Sequence, residues 1–138
     1  MAKKRRQKTI SALSNDVAAL IQKLVRVKAA DRDGYCRCVT CGKVGHYTEM
    51  QGGHFISRAW LATRLMEENI HVQCAGCNGP GQGNLIAYTM YMEDTYGKPF
   101  VLELLRRKHS PTKYRRPDLE DLKDEYRGRI AEIMAEKG

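Results

Sequence analysis

Four of the five cysteines form two closely spaced pairs, Cys38 with Cys41 and Cys74 with Cys77, and 32 residues separate the pairs. Two thiolates three positions apart can bind one ion from a tight turn, and Gly42, directly after the first pair, tolerates the positive φ that such a turn often needs. Two pairs together supply the four sulfur ligands of a tetrahedral site. The spacing therefore predicts a structural zinc ion held by all four of these cysteines.

The fifth cysteine, Cys36, makes the number odd, which excludes complete disulfide pairing within one chain. We expect Cys36 to be a free thiol, although it stands two residues before Cys38 and can compete as a ligand. A redox interpretation would explain one CxxC pair and lacks the βαβ surroundings of such a motif. Buried, reduced cysteine clusters without metal remain an open alternative.

The hydrophobic pattern predicts a first helix, a hairpin region and then further helices. Apolar residues between Val17 and Val25 recur at helical spacing behind a cap at Ser14-Asn15-Asp16, and Gly34 marks the stop. Dense glycines between Cys36 and Cys77 favour short strands and turns. Because that region has few large aliphatic residues, its folding is expected to depend on metal binding.

Three more helices are expected after the glycine-rich loop at residues 79–83. Asn84 can cap the first of them, which ends at Gly97. Pro99 begins the second, and the last starts near Pro117 with acidic residues in its first turns.

The length of 138 residues, with 42% hydrophobic and 29% charged, fits one globular domain. We expect a flexible basic tail at residues 1–10 and a single domain at 11–138, with a zinc core at 36–97 and a C-terminal helical extension at 98–138. No stretch of about 18 apolar residues is present, and the N-terminus begins with charges, so neither a membrane span nor a secretion signal is expected.

The net charge of +8 is concentrated in two basic runs, which hold 11 of the 24 Lys and Arg residues and no acid. The first run contains Lys3, Lys4, Arg5, Arg6 and Lys8, and the second contains Arg106, Arg107, Lys108, Lys113, Arg115 and Arg116. The rest of the chain carries 13 bases and 16 acids and is slightly acidic. This distribution favours a polyanion, above all nucleic acid, as the partner.

A histidine follows a glycine pair in the string GHFISR at residues 53–58, and NIHVQCAGCN follows at residues 69–78, with Gly83-Asn84 behind it. This arrangement resembles the HNH, or ββα-metal, nucleases, and more narrowly the NinG/Rap recombination endonucleases of lambda-like phages. The resemblance is close over about residues 36–91 and looser over the C-terminal helices. It implies an α+β fold: a zinc-stabilised treble-clef core with a β-hairpin, flanked by N- and C-terminal helices.

The same resemblance assigns roles to three residues. His54 would be the general base that takes a proton from the attacking water, which suits an imidazole because its pKa lies near neutrality. Asn69 would orient the hairpin that carries His54. Asn78 would bind the catalytic divalent ion, because its amide oxygen is a hard ligand suited to Mg²⁺ or Mn²⁺.

The chain departs from the wider superfamily at Gly53, where many relatives carry an Asp or His that is the other metal ligand. Glycine has no side chain to offer. The candidates to replace it are Asn84, His71, Gln51, Glu49 and additional waters.

A metal-dependent DNA endonuclease that hydrolyses phosphodiester bonds is therefore the expected function, and the resemblance implies branched recombination intermediates as substrates. The alternative is a non-catalytic zinc module that binds nucleic acid, with Gly53 marking the loss of the catalytic metal. The bacterial host cytoplasm is the expected location, and homodimer formation stays open. Besides the two basic runs, Arg58 and Arg64 are candidate phosphate contacts, with ordinary surface charge as the alternative.

Overall fold

A computed structural model describes residues 7–138. The first four predicted DNA contacts, Lys3, Lys4, Arg5 and Arg6, lie outside these described residues. Part of the expected tail is already ordered, because Thr9 caps the first helix and Ile10 begins it.

Helix α1 (Ile10–Ala29) begins earlier than the sequence pattern indicates. The hydroxyl oxygen of Thr9 accepts a hydrogen bond from the Ala12 amide at 3.0 Å, which satisfies one of the free N–H groups of the first turn. The predicted cap at Ser14-Asn15-Asp16 is therefore wrong, and Ser14 is buried within the helix. The helix ends at Ala29, before the predicted stop at Gly34.

Two antiparallel strand pairs follow α1, as the glycine-rich pattern predicts. Strands β1 (Tyr35–Arg37) and β2 (Val44–His46) form a hairpin whose turn contains the first cysteine pair. Strands β3 (Gln51–His54) and β4 (Ile70–Gln73) form the second pair, with His54 opposite Ile70. The turn at Gly42 has φ +81°, which is the conformation expected there.

Short elements connect and follow β3 and β4. Helix α2 (Leu61–Arg64) and a 3₁₀ turn (Glu67–Asn69) lie between the two strands, and helix α3 (Ala75–Asn78) directly follows β4. The second cysteine pair, with Cys74 at the cap of α3 and Cys77 within it, is thereby brought toward the first pair.

The last part of the chain is helical, as predicted. It contains α4 (Leu85–Tyr96), α5 (Lys98–Arg107) and α6 (Arg116–Lys137). Proline stands at the start of α5 and of α6, where its missing N–H costs no helical hydrogen bond. Within residues 7–138, no helix is long and apolar enough to cross a membrane.

The largest hydrophobic cluster joins the two ends of the described chain, because α6 packs along α1, and α1 packs over β4. Its buried members include Leu13, Val17, Ile21, Leu24, Val27, Ile70, Leu119, Tyr126 and Ile130. A second cluster surrounds the cysteines, and a third packs α4 and α5 under Phe55 and Ile56. The fold is thus of the α+β type, with two small sheets held between helices.

Candidate functional site

The sulfur atoms of Cys38, Cys41, Cys74 and Cys77 all lie within 4.8 Å of one another. The Sγ atoms of Cys41 and Cys74 are 3.7 Å apart. A tetrahedral zinc site with Zn–S bonds of about 2.3 Å has sulfur-to-sulfur distances of about 3.8 Å. The four cysteines predicted from their spacing therefore form a cluster that can bind a metal ion such as zinc.

The surroundings of the cluster favour the thiolate form of Cys38. Burial alone would raise the pKa of this thiol, but hydrogen bonds from the Thr40 hydroxyl and from backbone amides lower it to about 6. The distance from Cys38 Sγ to Thr40 Oγ1 is 3.2 Å. Cys74 Sγ also accepts a hydrogen bond from the Cys77 amide at 3.4 Å. A thiolate is the form that binds metal, so the hydrogen bonds to Cys38 favour its metal-binding form.

Cys36 is not one of the four clustered sulfur ligands, although it packs in the same hydrophobic cluster as Cys38, Cys74 and Cys77. It is buried beside Met50 and Val72 in the second hydrophobic cluster, and burial raises the pKa of its thiol. It is therefore a free thiol in the structure, as expected.

Asn84 lies against the cysteine cluster rather than beside His54. Its amide nitrogen is 3.5 Å from the Thr40 carbonyl oxygen and 3.7 Å from Cys77 Sγ. Its backbone has the left-handed conformation, with φ 47°, and its side chain does not cap α4. The residue marks the start of the helix as predicted, but its side chain supports the turn around the cysteines.

His54 and Asn78 line one cavity of about 280 Å³, at the free edge of β3. His54 is the last residue of β3, and Asn78 is the last residue of α3. The wall also contains Gln22 of α1 and the exposed residues Arg58 and Gln82. The structure thus brings together two of the three residues to which the family resemblance assigned roles.

The imidazole of His54 is fixed by its Nε2 atom, which lies 2.9 Å from the backbone carbonyl oxygen of Arg64. A carbonyl oxygen can only accept, so Nε2 carries the hydrogen and Nδ1 of the neutral ring is the proton acceptor. Burial lowers the pKa of His54, the Arg64 carbonyl opposes this change, and the Arg58 and Arg64 cations lower the pKa further. The ring is therefore neutral at physiological pH and able to act as a base.

Asn69 is fully buried and holds the segment that follows His54. Its amide oxygen accepts from the Ile56 amide at 2.8 Å, and its amide nitrogen donates to the carbonyls of Ile56 and Thr63 at 3.1 Å each. The Asn69 carbonyl accepts from the Phe55 amide at 2.9 Å. This geometry is compatible with the predicted orienting role.

Asn78 donates from its amide nitrogen to Oε1 of Gln51 at 2.7 Å. The amide oxygen is then the atom through which Asn78 could bind an ion. Among the candidates for a second oxygen ligand, Gln51 is therefore the residue in contact with Asn78.

Gly53 has no room for a side chain. A Cβ built there would lie 1.8 Å from Oε1 of Gln73, which is fully buried. The neighbouring Gly52 also packs closely, with 2.7 Å between a Cβ built there and the Gln22 backbone. Tight packing on both sides explains the glycine pair.

His71, another candidate ligand, has both ring nitrogens in contact with tyrosines. Its Nδ1 lies 3.1 Å from the Tyr88 hydroxyl and its Nε2 lies 2.8 Å from the Tyr96 hydroxyl. Burial lowers the pKa of His71 to about 4, the nearby Lys28 lowers it further and Glu67 opposes this. The His71 ring is neutral, and both of its nitrogens form hydrogen bonds with tyrosine hydroxyls.

The residues predicted to contact DNA differ in whether their charged groups are exposed or already bound to other side chains. Arg58 is exposed at the cavity, whereas the guanidinium of Arg64 donates to Oδ1 of Asn15 and is half-buried. In the second basic run, Arg106 forms an ion pair with Glu103. Exposed side chains in this run are Arg107, Lys113 and Arg115, whereas Arg116 is half-buried.

Gln22, Gln73 and Tyr88 are supporting residues that were not predicted from the sequence. A buried glutamine has no signature in a single sequence. The glycine pair was the available signal, because glycines within a strand often mark a close approach of another chain segment.

The chain matches the family described as "Bacteriophage Lambda NinG protein" over residues 1–136. It belongs to this NinG family. The chain is 26% identical over 113 residues to "Protein ninG" of Escherichia phage lambda, an alignment covering 81% of this chain and 54% of that protein. It is likewise 26% identical over 113 residues to "Protein ninG" of Salmonella phage P22, covering 81% of this chain and 55% of that protein.

This NinG family member spans about half the length of the curated relatives it matches. No solved structure matches the chain. Family membership and the four-cysteine cluster support the sequence-based expectation of a zinc-containing phage protein.

Proposed function

We propose that this NinG family protein is a divalent-metal-dependent DNA endonuclease of the HNH type. The observation that carries the proposal is the position of His54. Its Nδ1 is the acceptor of a neutral ring, and the side chain lines a cavity shared with Asn78 and Arg58. A base, an oxygen ligand and a cation around one cavity are the groups that phosphodiester hydrolysis requires.

The arrangement around the cysteines supports a treble-clef interpretation of the core. The first cysteine pair lies in the turn between β1 and β2, and the second lies at the start of α3. Between them the β3 and β4 strands carry His54 and lead directly into the short helix that ends in Asn78. This order of knuckle, strand pair and helix is the one that the resemblance to HNH nucleases implies.

In the proposed reaction, His54 Nδ1 accepts a proton from a water molecule that attacks the phosphorus. The Arg64 carbonyl holds the ring through Nε2 and stabilises the imidazolium after proton transfer, because Nε2–H donates to it more strongly when the ring is charged. Arg58 neutralises a phosphate oxygen from the rim of the cavity. Asn69 keeps the segment from Phe55 to Thr63, and therefore Arg58, in place.

The donor set at Asn78 fits a hard cation such as Mg²⁺ or Mn²⁺. The amide oxygens of Asn78 and Gln51 are neutral ligands of the kind that these ions accept, and phosphate oxygens and water would complete the shell. When bound there, the ion would supply charge stabilisation for the phosphate and the leaving oxygen. Because Gly53 contributes no carboxylate, we expect weak ion affinity before DNA is bound.

Branched DNA is the substrate class we propose, on the strength of the family resemblance and the charge distribution. Arg107 is the last residue of α5, and Lys113 and Arg115 lie between α5 and α6. These three exposed cations are far from Arg58 in the sequence. Two separate basic regions can contact phosphates on different arms of a junction. We place this activity in the cytoplasm of the bacterial host.

Cleavage of plasmid and branched DNA by the wild-type protein, with Mg²⁺, Mn²⁺ or EDTA, tests the proposal. His54→Ala should keep zinc and DNA binding but lose cleavage by about 10² to 10⁴-fold, the usual range for a positioned general base. Asn78→Ala should raise the Mg²⁺ or Mn²⁺ concentration needed for activity, whereas added metal should not rescue His54→Ala. His109→Ala, which removes an exposed histidine between α5 and α6, is the matched control and should remain active.

A wild-type protein that binds branched DNA tightly and cuts none of the substrates would contradict the nuclease proposal. That outcome would favour the non-catalytic binding module, for which the missing side chain at Gly53 is the supporting observation. A fully active His54→Ala would remove the proposed mechanism.

A further inference from the structure

A chain of hydrogen bonds runs from the end of α4 to the backbone next to His54. The Tyr96 hydroxyl lies 2.8 Å from His71 Nε2, and His71 Nδ1 lies 3.1 Å from the Tyr88 hydroxyl. The Tyr88 hydroxyl in turn lies 2.7 Å from the carbonyl oxygen of Gly53. Tyr88 is fully buried, so water does not replace its hydrogen bond to the Gly53 carbonyl.

The direction of each hydrogen bond follows from the last one. The Gly53 carbonyl can only accept, so the single hydroxyl hydrogen of Tyr88 is used there. His71 Nδ1–H must then donate to the Tyr88 oxygen, and the free lone pair at Nε2 accepts from Tyr96. A neutral His71 satisfies every group in the chain, in agreement with its low pKa of about 4.

Two successive glycines precede His54, and hydrogen bonds from side chains reinforce the pairing of β3 with β4 at this point. On one side, Gln22 Nε2 donates to the Gly52 carbonyl at 3.1 Å. On the other side, Tyr88 holds the Gly53 carbonyl, whose carbon is bonded directly to the His54 nitrogen. Any movement of this peptide therefore moves the proposed base.

We infer that Tyr88 is a positioning residue that, through the Gly53 carbonyl, fixes His54 for proton transfer. His71 acts in the same way through Tyr88, because its Nδ1–H orients the Tyr88 hydroxyl toward Gly53. The inference rests on the proposed nuclease function for its kinetic consequences. The structural part of the inference is that His54 is held in a fixed position, and this can be measured without a cleavage assay.

Tyr88→Phe removes the hydroxyl and leaves the ring to pack on Phe55, whose centroid is 5.3 Å away. Single-turnover cleavage of saturating branched DNA should slow by about tenfold, since a displacement of about 1 Å at a reacting group can cost up to about 100-fold. The KM for DNA should stay within about twofold of wild type, because no DNA contact changes. In the same variant, the ¹⁵N and ¹H signals of the His54 ring should shift or broaden.

Tyr91→Phe is the matched control, because the Tyr91 ring packs on His71 at 5.1 Å while its hydroxyl is outside this chain of hydrogen bonds. It should match wild type in rate and in the His54 signals. His71→Asn keeps a donor near the Nδ1 position and should retain more activity than His71→Leu, which has none.

Two results would overturn the inference. One is a Tyr88→Phe protein with wild-type rate and unchanged His54 signals. The other is an equal loss in Tyr88→Phe and Tyr91→Phe, which would indicate general packing. If Tyr88→Phe does not fold, the comparison of His71→Asn with His71→Leu decides, and equal rates in these two would overturn it. If the wild-type protein cuts no DNA, the nuclease proposal fails while the His54 signals still test the positioning.

Discussion

The backbone of Gly53 lies so close to the side chain of Gln73 that a Cβ at position 53 would be 1.8 Å from Oε1 of Gln73. Gln73 cannot easily withdraw, because its Nε2 donates to the Gly83 carbonyl at 2.8 Å and to the Thr40 hydroxyl at 3.2 Å. Position 53, where the resemblance to HNH nucleases led us to expect a metal ligand, is therefore closed to any side chain here. Packing around Gln73 is therefore the physical reason why a glycine stands at position 53.

Gly53→Ala should consequently lower the free energy of unfolding by about 3 kcal/mol, near the upper end for an overpacked core position. Gly128→Ala is the control, because a Cβ at Gly128 in α6 meets nothing within 4 Å. That change should raise stability by about 1 kcal/mol, the usual gain for alanine in a helix interior. Urea denaturation of both variants checks the pair. A Gly53→Ala protein as stable as wild type would contradict the packing argument.

Loss of one cluster cysteine should remove the metal and unfold the region around it. Cys38→Ser and Cys77→Ser should each lose bound zinc, because structural zinc can contribute about 10 kcal/mol or more to the folding of small metal-stapled units. Cys36→Ser is the control, since the Cys36 sulfur is not one of the four clustered sulfurs, although the residue packs in the same hydrophobic cluster. It should keep stoichiometric zinc while losing about 1–3 kcal/mol from burial of a hydroxyl. Metal content and thermal unfolding provide the measurements. Zinc retained in Cys38→Ser, or lost in Cys36→Ser, would mean a different ligand set.

Neutralising the exposed cations between α5 and α6 should weaken DNA binding and flatten its dependence on salt. The triple variant Arg107→Gln, Lys113→Gln, Arg115→Gln should reduce the slope of log affinity against log salt by about 0.9 for each phosphate that is no longer neutralised. Arg106→Gln should change the slope less, because Glu103 already neutralises that guanidinium. Titrations at several salt concentrations test both statements. An unchanged slope in the triple variant would show that this run does not bind phosphate.

The rate of cleavage should fall as pH is lowered, because protonated His54 cannot accept a proton at Nδ1. Burial lowers the pKa of His54, so the midpoint of this fall should lie below the ordinary histidine value of about 6.5. The measurement is the single-turnover rate between pH 5 and 8 with saturating metal. In His54→Ala the residual rate should lack this step, and a midpoint above 6.5 in wild type would contradict a buried neutral base.

Some features of this protein could be predicted from short-range patterns alone. The spacing within each cysteine pair, the turn at Gly42, the strand that carries His54 and the starts of α5 and α6 all depend on neighbours within a few residues. Metal-ligand spacing, glycine at a positive φ and proline in a first helical turn are local constraints. Such constraints can be recognised from the order of the residues alone.

The tertiary structure decided what depends on residues far apart in the chain. It set the start of α1 at Ile10, because the buried face of that helix is set by its packing against α6. It placed Asn84 at the cysteines and Asn78 beside His54, although both follow the same motif. Above all, it showed that Gln73 fills the space at Gly53 and that Tyr88 holds the Gly53 carbonyl across 35 residues of chain. Close packing and buried hydrogen bonds depend on which side chains meet in space, and a single sequence does not contain that information.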